Sequence, residues 1–241
     1  MRSRLAKIVL GGAVMTTAAL IGVTPVRAQA DYPNRPITAI IPFAGGSASD
    51  VVSRIMFDKM SKNMGQPIVV ENRPGAGGNS GTLQGARSAP DGYTIIGGGS
   101  GPVAANLALY RNLGYDPEKD LEMISPFAGF TIVVAVSKNL PVKNLKDMIA
   151  YAKANPGLNY GSVGIGSSAH LATVLFNDTA GIKMQHVPYS QMSQAYSDIF
   201  SGRTEIWFTT AGGSLPHLRS GKVRGLAVTT AQRSQIAPDI P

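Results

Sequence analysis

The stretch Ile37–Asp50, with the sequence ITAIIPFAGGSASD, decides the predicted fold class of this 241-residue chain. Its first six residues form a short, mostly apolar run, which is typical of a buried strand. A turn rich in glycine and serine follows, and Asp50–Met64 then carries apolar residues at helical spacing until Gly65 ends the pattern. The stretch therefore predicts a strand, a glycine-rich turn and a helix in succession.

The same order recurs along the chain. Further strands are predicted at 68–71, 93–96, 131–136, 159–161, 184–187, 206–209 and 223–228. Further helices are predicted at 80–88, 145–153, 169–178, 192–200 and 216–220, with Asn144 as the N-cap of the helix at 145–153. Alternation of strands with helices favours parallel pairing through crossover helices, so we expect an α/β protein.

The elements group into two βα blocks. The first covers Asp31–Ser125 and the second covers Pro126–Leu226, and they predict two lobes with a cleft between them. Trp207 and Phe208 lie in a predicted strand of the second block, where aromatic side chains usually belong to the core.

The first thirty residues are expected to be a secretion signal that is not part of the fold. Three basic residues within the first seven precede an uncharged, mostly apolar run at 8–23, and Ala28 and Ala30 occupy the positions that a signal peptidase reads. We predict cleavage before Asp31, with a transmembrane anchor as the alternative. The mature chain then carries 18 basic and 14 acidic residues, so its net charge is +4 rather than the +8 of the whole sequence.

The composition excludes several classes of function. The sequence contains no cysteine, which rules out disulfides, cysteine-ligated metals, a thiol nucleophile and a lipidated cysteine. Basic residues do not cluster with aromatic ones, so we expect no binding of nucleic acid. After Asp31 no apolar run approaches the length that spans a bilayer, so we expect no membrane anchor once the signal is cleaved.

Catalytic and cofactor motifs are also missing from the sequence. His170, His186 and His217 lack the spacing of a helical metal pair, and we interpret each as a structural or surface histidine. No serine lies in a G-x-S-x-G motif, and neither a P-loop nor a complete dinucleotide fingerprint occurs. We therefore expect no catalytic residues, no metal and no organic cofactor.

Three glycine- and serine-rich turns follow predicted strands, and we call them the first turn (Phe43–Asp50), the second turn (Arg73–Gly81) and the third turn (Ser162–His170). Ligands of open α/β sheets bind at this edge, where backbone N–H groups at a helix start favour anions. The hydroxyl groups of the first and third turns add donors: Ser47, Ser49, Ser167 and Ser168. Each turn taken alone is better explained as a tight turn or a helix cap, with Asp50 capping its own helix. Three such turns in register favour a shared anion site.

Seven short stretches together resemble one family. They are 42–50 (PFAGGSASD), 71–79 (ENRPGAGGN), 91–94 (DGYT), 115–120 (YDPEKD), 160–171 (YGSVGIGSSAHL), 186–189 (HVPY) and 221–224 (GKVR). In this order the stretches resemble the periplasmic solute-binding proteins of tripartite tricarboxylate transporters, the Bug receptor family. They extend over almost all of the mature chain. Two positions depart from the family pattern: Ser47 replaces a glycine, and Ser190-Gln191 replaces Lys-Gly.

The resemblance implies a type II periplasmic-binding-protein fold and a periplasmic receptor, expected to be monomeric. Such a receptor captures a small carboxylate, either a di- or tricarboxylate or an aromatic acid, between its lobes and delivers it to a membrane permease. The residues implied to bind the ligand are Phe43, Ala44, Gly45, Gly46, Ser47, Ser49, Asp50, Gly78, Asn79, Ser100, Gly164, Gly166, Ser167, Ser168, His170, Tyr189 and Ser190.

Three further interpretations remain open. A periplasmic enzyme on the same scaffold would need an acid/base pair, and a co-receptor that presents ligand to a membrane sensor kinase would use the same pocket. The chain stops at Pro238–Pro241, inside a family motif, so we expect the first lobe to be incomplete at the C-terminus, with 227–241 as the start of its return segment. The expected consequence is an uncovered apolar sheet face, and the remaining alternative is a non-functional gene fragment of such a receptor.

Overall fold

The computed structural model describes residues 32–241, and these residues form an α/β structure with two sheets. Its strands are β1 (Ile37–Ile41), β2 (Ile68–Asn72), β3 (Thr94–Ile96), β4 (Ile132–Ser137), β5 (Asn159–Ser162), β6 (Gln185–Pro188), β7 (Ile206–Thr210) and β8 (Val223–Val228). Its helices are α1 (Ala48–Met64), α2 (Asn79–Ala86), α3 (Asn106–Leu109), α4 (Leu145–Ala154), α5 (Ser168–Ala180), α6 (Met192–Ser201) and α7 (Ala211–Arg219). The predicted signal, 1–30, lies outside the described residues.

Every strand predicted after Asp31 is confirmed, and so are the helices, with shifts of a few residues at most ends. The largest shift concerns α7, which begins at Ala211 instead of Pro216. Two glycines and a proline disfavour a helix over this segment. Packing outweighs that preference, because Ala211 and Ser214 are fully enclosed. The structure adds three short elements that were not predicted: a 3-10 turn at Ala76–Gly78, a π-helical turn at Gly101–Ala105, and α3, into which the π-helical turn leads.

The structure confirms the predicted cap of one helix and changes that of another. The Asn144 side chain accepts a hydrogen bond from the Asp147 amide and caps α4, as predicted. At α1 the N-cap is Ser47, whose hydroxyl accepts from the Asp50 amide, and not Asp50 itself. The Asp50 carboxylate instead accepts from the amide of Gly46, the residue before the N-cap, so the arrangement resembles a capping box without being reciprocal.

The two sheets differ in strand direction. The first sheet has the order β2-β1-β3 and is parallel throughout. The second has the order β6-β5-β7-β4-β8, and β4 runs antiparallel to both of its neighbours. The expectation of uniformly parallel pairing is therefore wrong for β4. A helix between two strands permits parallel pairing without requiring it, and pairing with the distant β7 and β8 sets the direction of β4.

The second sheet is covered on both faces. Val134, Val136 and Phe208 contribute to the apolar cluster on one face, while Val133 and Trp207 contribute to the cluster on the other. All six residues of β4 are buried, as expected of a central strand between two helical layers. The assignment of Trp207 and Phe208 to the core is confirmed. A smaller cluster built around Ile41, Phe43 and Phe57 supports the first sheet.

Apolar side chains are exposed on the first sheet and its helix: Val51 and Ile55 on α1, and Val69 on β2. The segment expected to return to the first lobe, 227–241, starts on the second sheet. Its first two residues belong to β8, and Ala237 and Ile240 pack in the cluster around Trp207.

Candidate functional site

The first turn is held in shape by the buried carboxylate of Asp50, which is only 4% exposed. One of its oxygens accepts from the Gly46 amide at 2.8 Å, and the other accepts from Asn72 Nδ2 at 2.8 Å and from Arg54 Nε at 2.9 Å. Asn72 Nδ2 also donates to the Phe43 carbonyl oxygen. Asp50 and the Gly46 amide therefore already have hydrogen-bond partners inside the turn.

These bonds control the ionisation of Asp50. Burial by itself raises the pKa of this carboxyl, but hydrogen bonds from Gly46, Asn72 and Arg54, together with the charge of Arg54, lower it further than burial raises it. The net result is a pKa below the usual value for aspartate. The first turn therefore rests on a carboxylate that stays ionised at neutral pH.

The turns of the first sheet pack against one another around Phe43. Its ring lies directly against Gly78 in the second turn and Gly99 after β3, where a Cβ on either glycine would crowd it. Asn79 begins α2 beneath this contact, and Asn106 Nδ2 donates to Asn79 Oδ1 at 2.5 Å. Both asparagines are buried, and Asn79 Nδ2 and Asn106 Oδ1 lack hydrogen-bond partners.

The third turn meets these turns of the first sheet at very short range. A Cβ on Gly77 would overlap the carbonyl oxygen of Ile165, and a Cβ on Gly166 would overlap the Asn106 side chain. The Tyr110 hydroxyl donates to the Ile165 carbonyl oxygen at 2.9 Å. Glycine is required where two backbones approach this closely, so the contact depends on the absence of side chains.

Ser100 and Ser168 form a hydroxyl–hydroxyl hydrogen bond of 3.1 Å across the same contact. Ser167 is buried and caps α5 by accepting from the His170 amide. The structure thus brings together residues that the sequence placed in three separate turns.

Two imidazoles lie under the third turn. His170 Nδ1 accepts from the Gly166 amide at 3.3 Å, and His186 Nε2 lies 2.7 Å from the Ser162 hydroxyl oxygen. The two ring centroids are 4.6 Å apart, and the Tyr160 ring stacks on His186. Burial lowers the pKa of both histidines, and the neighbouring His170 helps to lower that of His186 to about 4. Each histidine thus has a hydrogen-bond contact within the chain, and both are neutral at pH 7.

The depressed pKa of His186 predicts a loss of stability in acid. In the unfolded chain the pKa of His186 has its usual value of 6.5, and in the folded chain it is about 4. The stability contribution is therefore complete above about pH 6.5 and falls as the pH drops towards 4. Because the ring is partly solvated, we expect the wild type to lose about 1–2 kcal/mol more than His186→Gln across this range. Urea unfolding at several pH values measures this difference. If the free energy of unfolding depended on pH equally in both proteins, the prediction would be wrong.

A cavity of about 620 Å³ lies between the start of α1 and the start of α7. Gly46, Val51 and Val52 line it from the first sheet, while Gly212 and Gly213 line it from the second. Its other lining residues are Ala48, Ala128, Gly129, Phe130, Thr131, Thr230, Gln232, Arg233, Ser234, Gln235 and Ile236. Two helix N-termini and Arg233, whose Nη1 donates to the Pro238 carbonyl oxygen, thus border a space of the size that small ligands occupy.

Two predicted ligand residues, Tyr189 and Ser190, directly follow β6 and differ in exposure. Tyr189 is buried in the core of the second sheet, where its hydroxyl donates to Asp198 Oδ2 at 3.0 Å and contacts the Thr204 hydroxyl. Ser190 follows it and is exposed. Of the first turn, Gly45 and Gly46 are exposed, whereas Ala44 and Ser47 are buried and Ser49 is half-buried.

The sequence did not predict Gly101, Asn106 and Tyr110, which lie where the third turn meets the first sheet. It also did not predict Gly212 and Gly213, which line the cavity. The glycines could have been found, because Gly97–Gly101 follows β3 and Gly212-Gly213 follows β7 in the same strand-then-glycine pattern as the first turn. Tyr110 carries no such signal, since its role depends on the position of the third turn.

Within residues 32–241, no helix is both long and apolar enough to cross a membrane. The same residues contain no group of three histidine, aspartate or glutamate side chains arranged to hold a metal ion.

Known structures share this architecture. BugD, a periplasmic binding protein, matches 87% of this chain at a TM-score of 0.82 and 31% identity, and the chain spans 70% of its length. An R. palustris protein solved with adipate matches 84% of the chain at a TM-score of 0.81 and 37% identity, with 68% of its length matched. MatC from Rhodopseudomonas palustris, solved with bound malate, matches 87% of the chain at 0.82 and 31% identity, with 72% of its length matched. These similarities confirm the periplasmic-binding-protein fold.

The family model described as "Tripartite tricarboxylate transporter family receptor" matches residues 52–241, which include both sheets except β1. The similarity predicted from seven short stretches is thereby confirmed over most of the chain. This protein belongs to the tripartite tricarboxylate transporter receptor family, whose structurally characterised relatives include BugD.

Proposed function

We propose that this protein is a periplasmic receptor that captures a small carboxylate, with dicarboxylates as the first candidates, and delivers it to the membrane permease of a tripartite tricarboxylate transporter. The family is one of substrate-binding receptors for transport and not of enzymes. Two relatives with the same fold were solved with adipate and malate, both of which are dicarboxylates.

The observation that carries the proposal is the convergence of helix N-termini from both sheets. The starts of α1 and α7 border the cavity, and α5 starts in the third turn, next to the turns of the first sheet. The first amides of a helix lack partners within the helix, and the helix dipole favours negative charge beside them. A carboxylate bound here receives these amides from both sides, with Arg233 as a nearby cation.

The proposal includes the organisation of the whole receptor. Residues 31–125 and 126–226 form the two lobes, 227–241 begins the return to the first lobe, and closure of the lobes encloses the ligand. Residues 1–30 direct a monomeric receptor to the periplasm and are removed there. N-terminal sequencing of protein collected from the periplasm is expected to begin at Asp31, and an uncleaved N-terminus would contradict this part of the proposal.

A thermal-shift screen of the secreted chain tests the substrate class. Adipate, malate, citrate and benzoate are compared with adipamide, a neutral analogue that keeps the shape of adipate without its charges. A carboxylate at a hundredfold excess over its Kd is expected to stabilise the protein by about 2.7 kcal/mol, which raises the melting temperature by several degrees. Adipamide is expected to cause no shift. A cooperative melt that no carboxylate shifts would overturn the carboxylate assignment.

Delivery to a permease needs a separate measurement. Uptake of the carboxylate that binds, by cells that contain the permease, is expected to require this receptor. Uptake that continues at the same rate in cells lacking the receptor would contradict the transport role.

A further inference from the structure

The third turn depends on two glycines whose backbone must be placed accurately. Gly164 and Gly166 both have positive φ, at +119° and +88°, and both contact the turns of the first sheet. Glycine adopts these angles without strain but also permits many others, so contacts with the surroundings must fix the shape of the turn. The imidazoles of His170 and His186, which lie under the third turn, supply part of these contacts.

Each glycine amide of the third turn is tied to one histidine. The Gly166 amide donates to His170 Nδ1, and the Gly164 amide donates to the Ser162 hydroxyl oxygen at 3.0 Å, which in turn contacts His186 Nε2. The bond from Gly166 requires an unprotonated Nδ1, because only the neutral ring has a lone pair there.

We propose that His170 is a positioning residue whose Nδ1 lone pair holds the third turn against the first sheet, so that acidification releases the turn and weakens ligand binding. The part that concerns the ligand rests on the proposed function. A proton on Nδ1 converts an acceptor into a donor, and two N–H groups then face each other across the 3.3 Å contact. The Gly166 amide must move away, and it takes with it the contacts to Asn106 and Gly101.

Among the described residues, the groups around His170 supply no counter-ion that would neutralise a protonated ring. Protonation is therefore expected to release the turn. Tyr160 on β5 and His186 on β6 are the titratable groups that face it, and β7 contributes the apolar Phe208 to the same core. Tyr110 faces the third turn from the first sheet. None of these groups is a carboxylate, and the imidazole of His186 at 4.6 Å disfavours a second positive charge.

The first measurement uses the ligand-free protein. The Gly166 and Gly164 amide signals are followed by two-dimensional ¹H–¹⁵N NMR from pH about 7.5 to about 5, together with the His170 ring signals. In the wild type the Gly166 amide is expected to titrate with the His170 ring. In His170→Asn, whose side-chain oxygen replaces the Nδ1 acceptor but does not titrate, the Gly166 signal is expected to stay constant. His217→Asn, on α7, is the matched control and is expected to retain the wild-type titration.

The second measurement uses adipate and malate as probes. The affinity of the wild type is expected to fall more steeply than that of His170→Asn between the same two pH values. Protonation of the ligand affects all variants equally, so comparing their affinities at the same pH removes its effect. His170→Phe, which removes the acceptor, is expected to bind weakly at both pH values, and rescue of binding by asparagine separates positioning from simple loss of packing.

The outcomes separate this inference from the proposed function. If the Gly166 amide does not titrate with His170, or titrates equally in His170→Asn, the inference is overturned. If binding by the wild type and by His170→Asn weakens equally in acid, its functional part is overturned. If the amide behaves as expected but neither adipate nor malate binds at either pH, the positioning role stands and the proposed substrate class fails.

Discussion

Gly77→Ala is expected to weaken carboxylate binding by about tenfold to a hundredfold while the ligand-free protein stays folded. Gly77 has φ +64°, and a Cβ at this position would overlap the Ile165 carbonyl oxygen of the third turn. The two backbones must then separate, and overpacking of this kind costs about 1–3 kcal/mol. If the lobes move apart without ligand, as the proposed function requires, this cost falls on the closed state alone and appears as lost affinity.

Gly65→Ala is the matched control for this prediction. Gly65 has φ +68°, so alanine there carries the same backbone strain, but no other atom lies within 4 Å of its Cβ position. Isothermal titration with the carboxylate that binds best, together with thermal melts, compares the two variants. Equal affinities would show that the third turn does not close on Gly77. A much lower melting temperature for Gly77→Ala alone would show that the contact belongs to the permanent core.

Asp50→Ala is expected to destabilise the protein by about 2–3 kcal/mol, because several donors lose the same acceptor. The Gly46 amide and Asn72 Nδ2 are left without their carboxylate, and the Arg54 guanidinium loses its ion-pair partner. The first turn loses its shape as a result, so binding is expected to weaken as well. Urea unfolding and ligand titration measure the two effects.

The contribution of Asp50 to the free energy of unfolding is expected to decrease in acid. Its pKa is lowered in the folded state, so its stability contribution is present above the unfolded value of 3.8 and is lost as the pH falls through the folded value. This acid-dependent part is expected to be missing from Asp50→Ala. Asp58→Ala, on the same helix, is the control: its carboxylate is 65% exposed and, among residues 32–241, forms an ion pair with Lys62 alone, so a change below about 0.5 kcal/mol is expected. Similar losses in both variants would refute the structural role of Asp50.

Much of the fold was predictable because its signals are local. Runs such as Ile37–Ile41 and Val223–Val228 are apolar over the length of one strand, and Asn144 carries a cap signal that depends on three neighbouring residues. The glycine-rich turns were recognisable for the same reason, since a strand, glycines and a helix start follow one another directly. The family resemblance added the order of these motifs, and the family itself is confirmed by a family model that matches residues 52–241.

The direction of β4 and the role of Tyr189 were not predictable from local sequence. Both depend on residues far along the chain, namely the pairing of β4 with β7 and β8, and the hydrogen bond from Tyr189 to Asp198. A tyrosine after a strand is equally suited to a pocket wall and to a core. The position of its hydrogen-bond partner, Asp198, decides between a pocket wall and the core.

By itself, the sequence determined the positions of the strands, helices and turns of this protein and the edge at which a ligand is expected. Only the tertiary structure decided what those turns do. It directs Asp50 to Gly46, sets His170 beneath Gly166, and brings Gly77 against Ile165. The physical reason is range: backbone propensity and capping act over a few residues, whereas contact between two turns about ninety residues apart exists only when two separate sheets have packed.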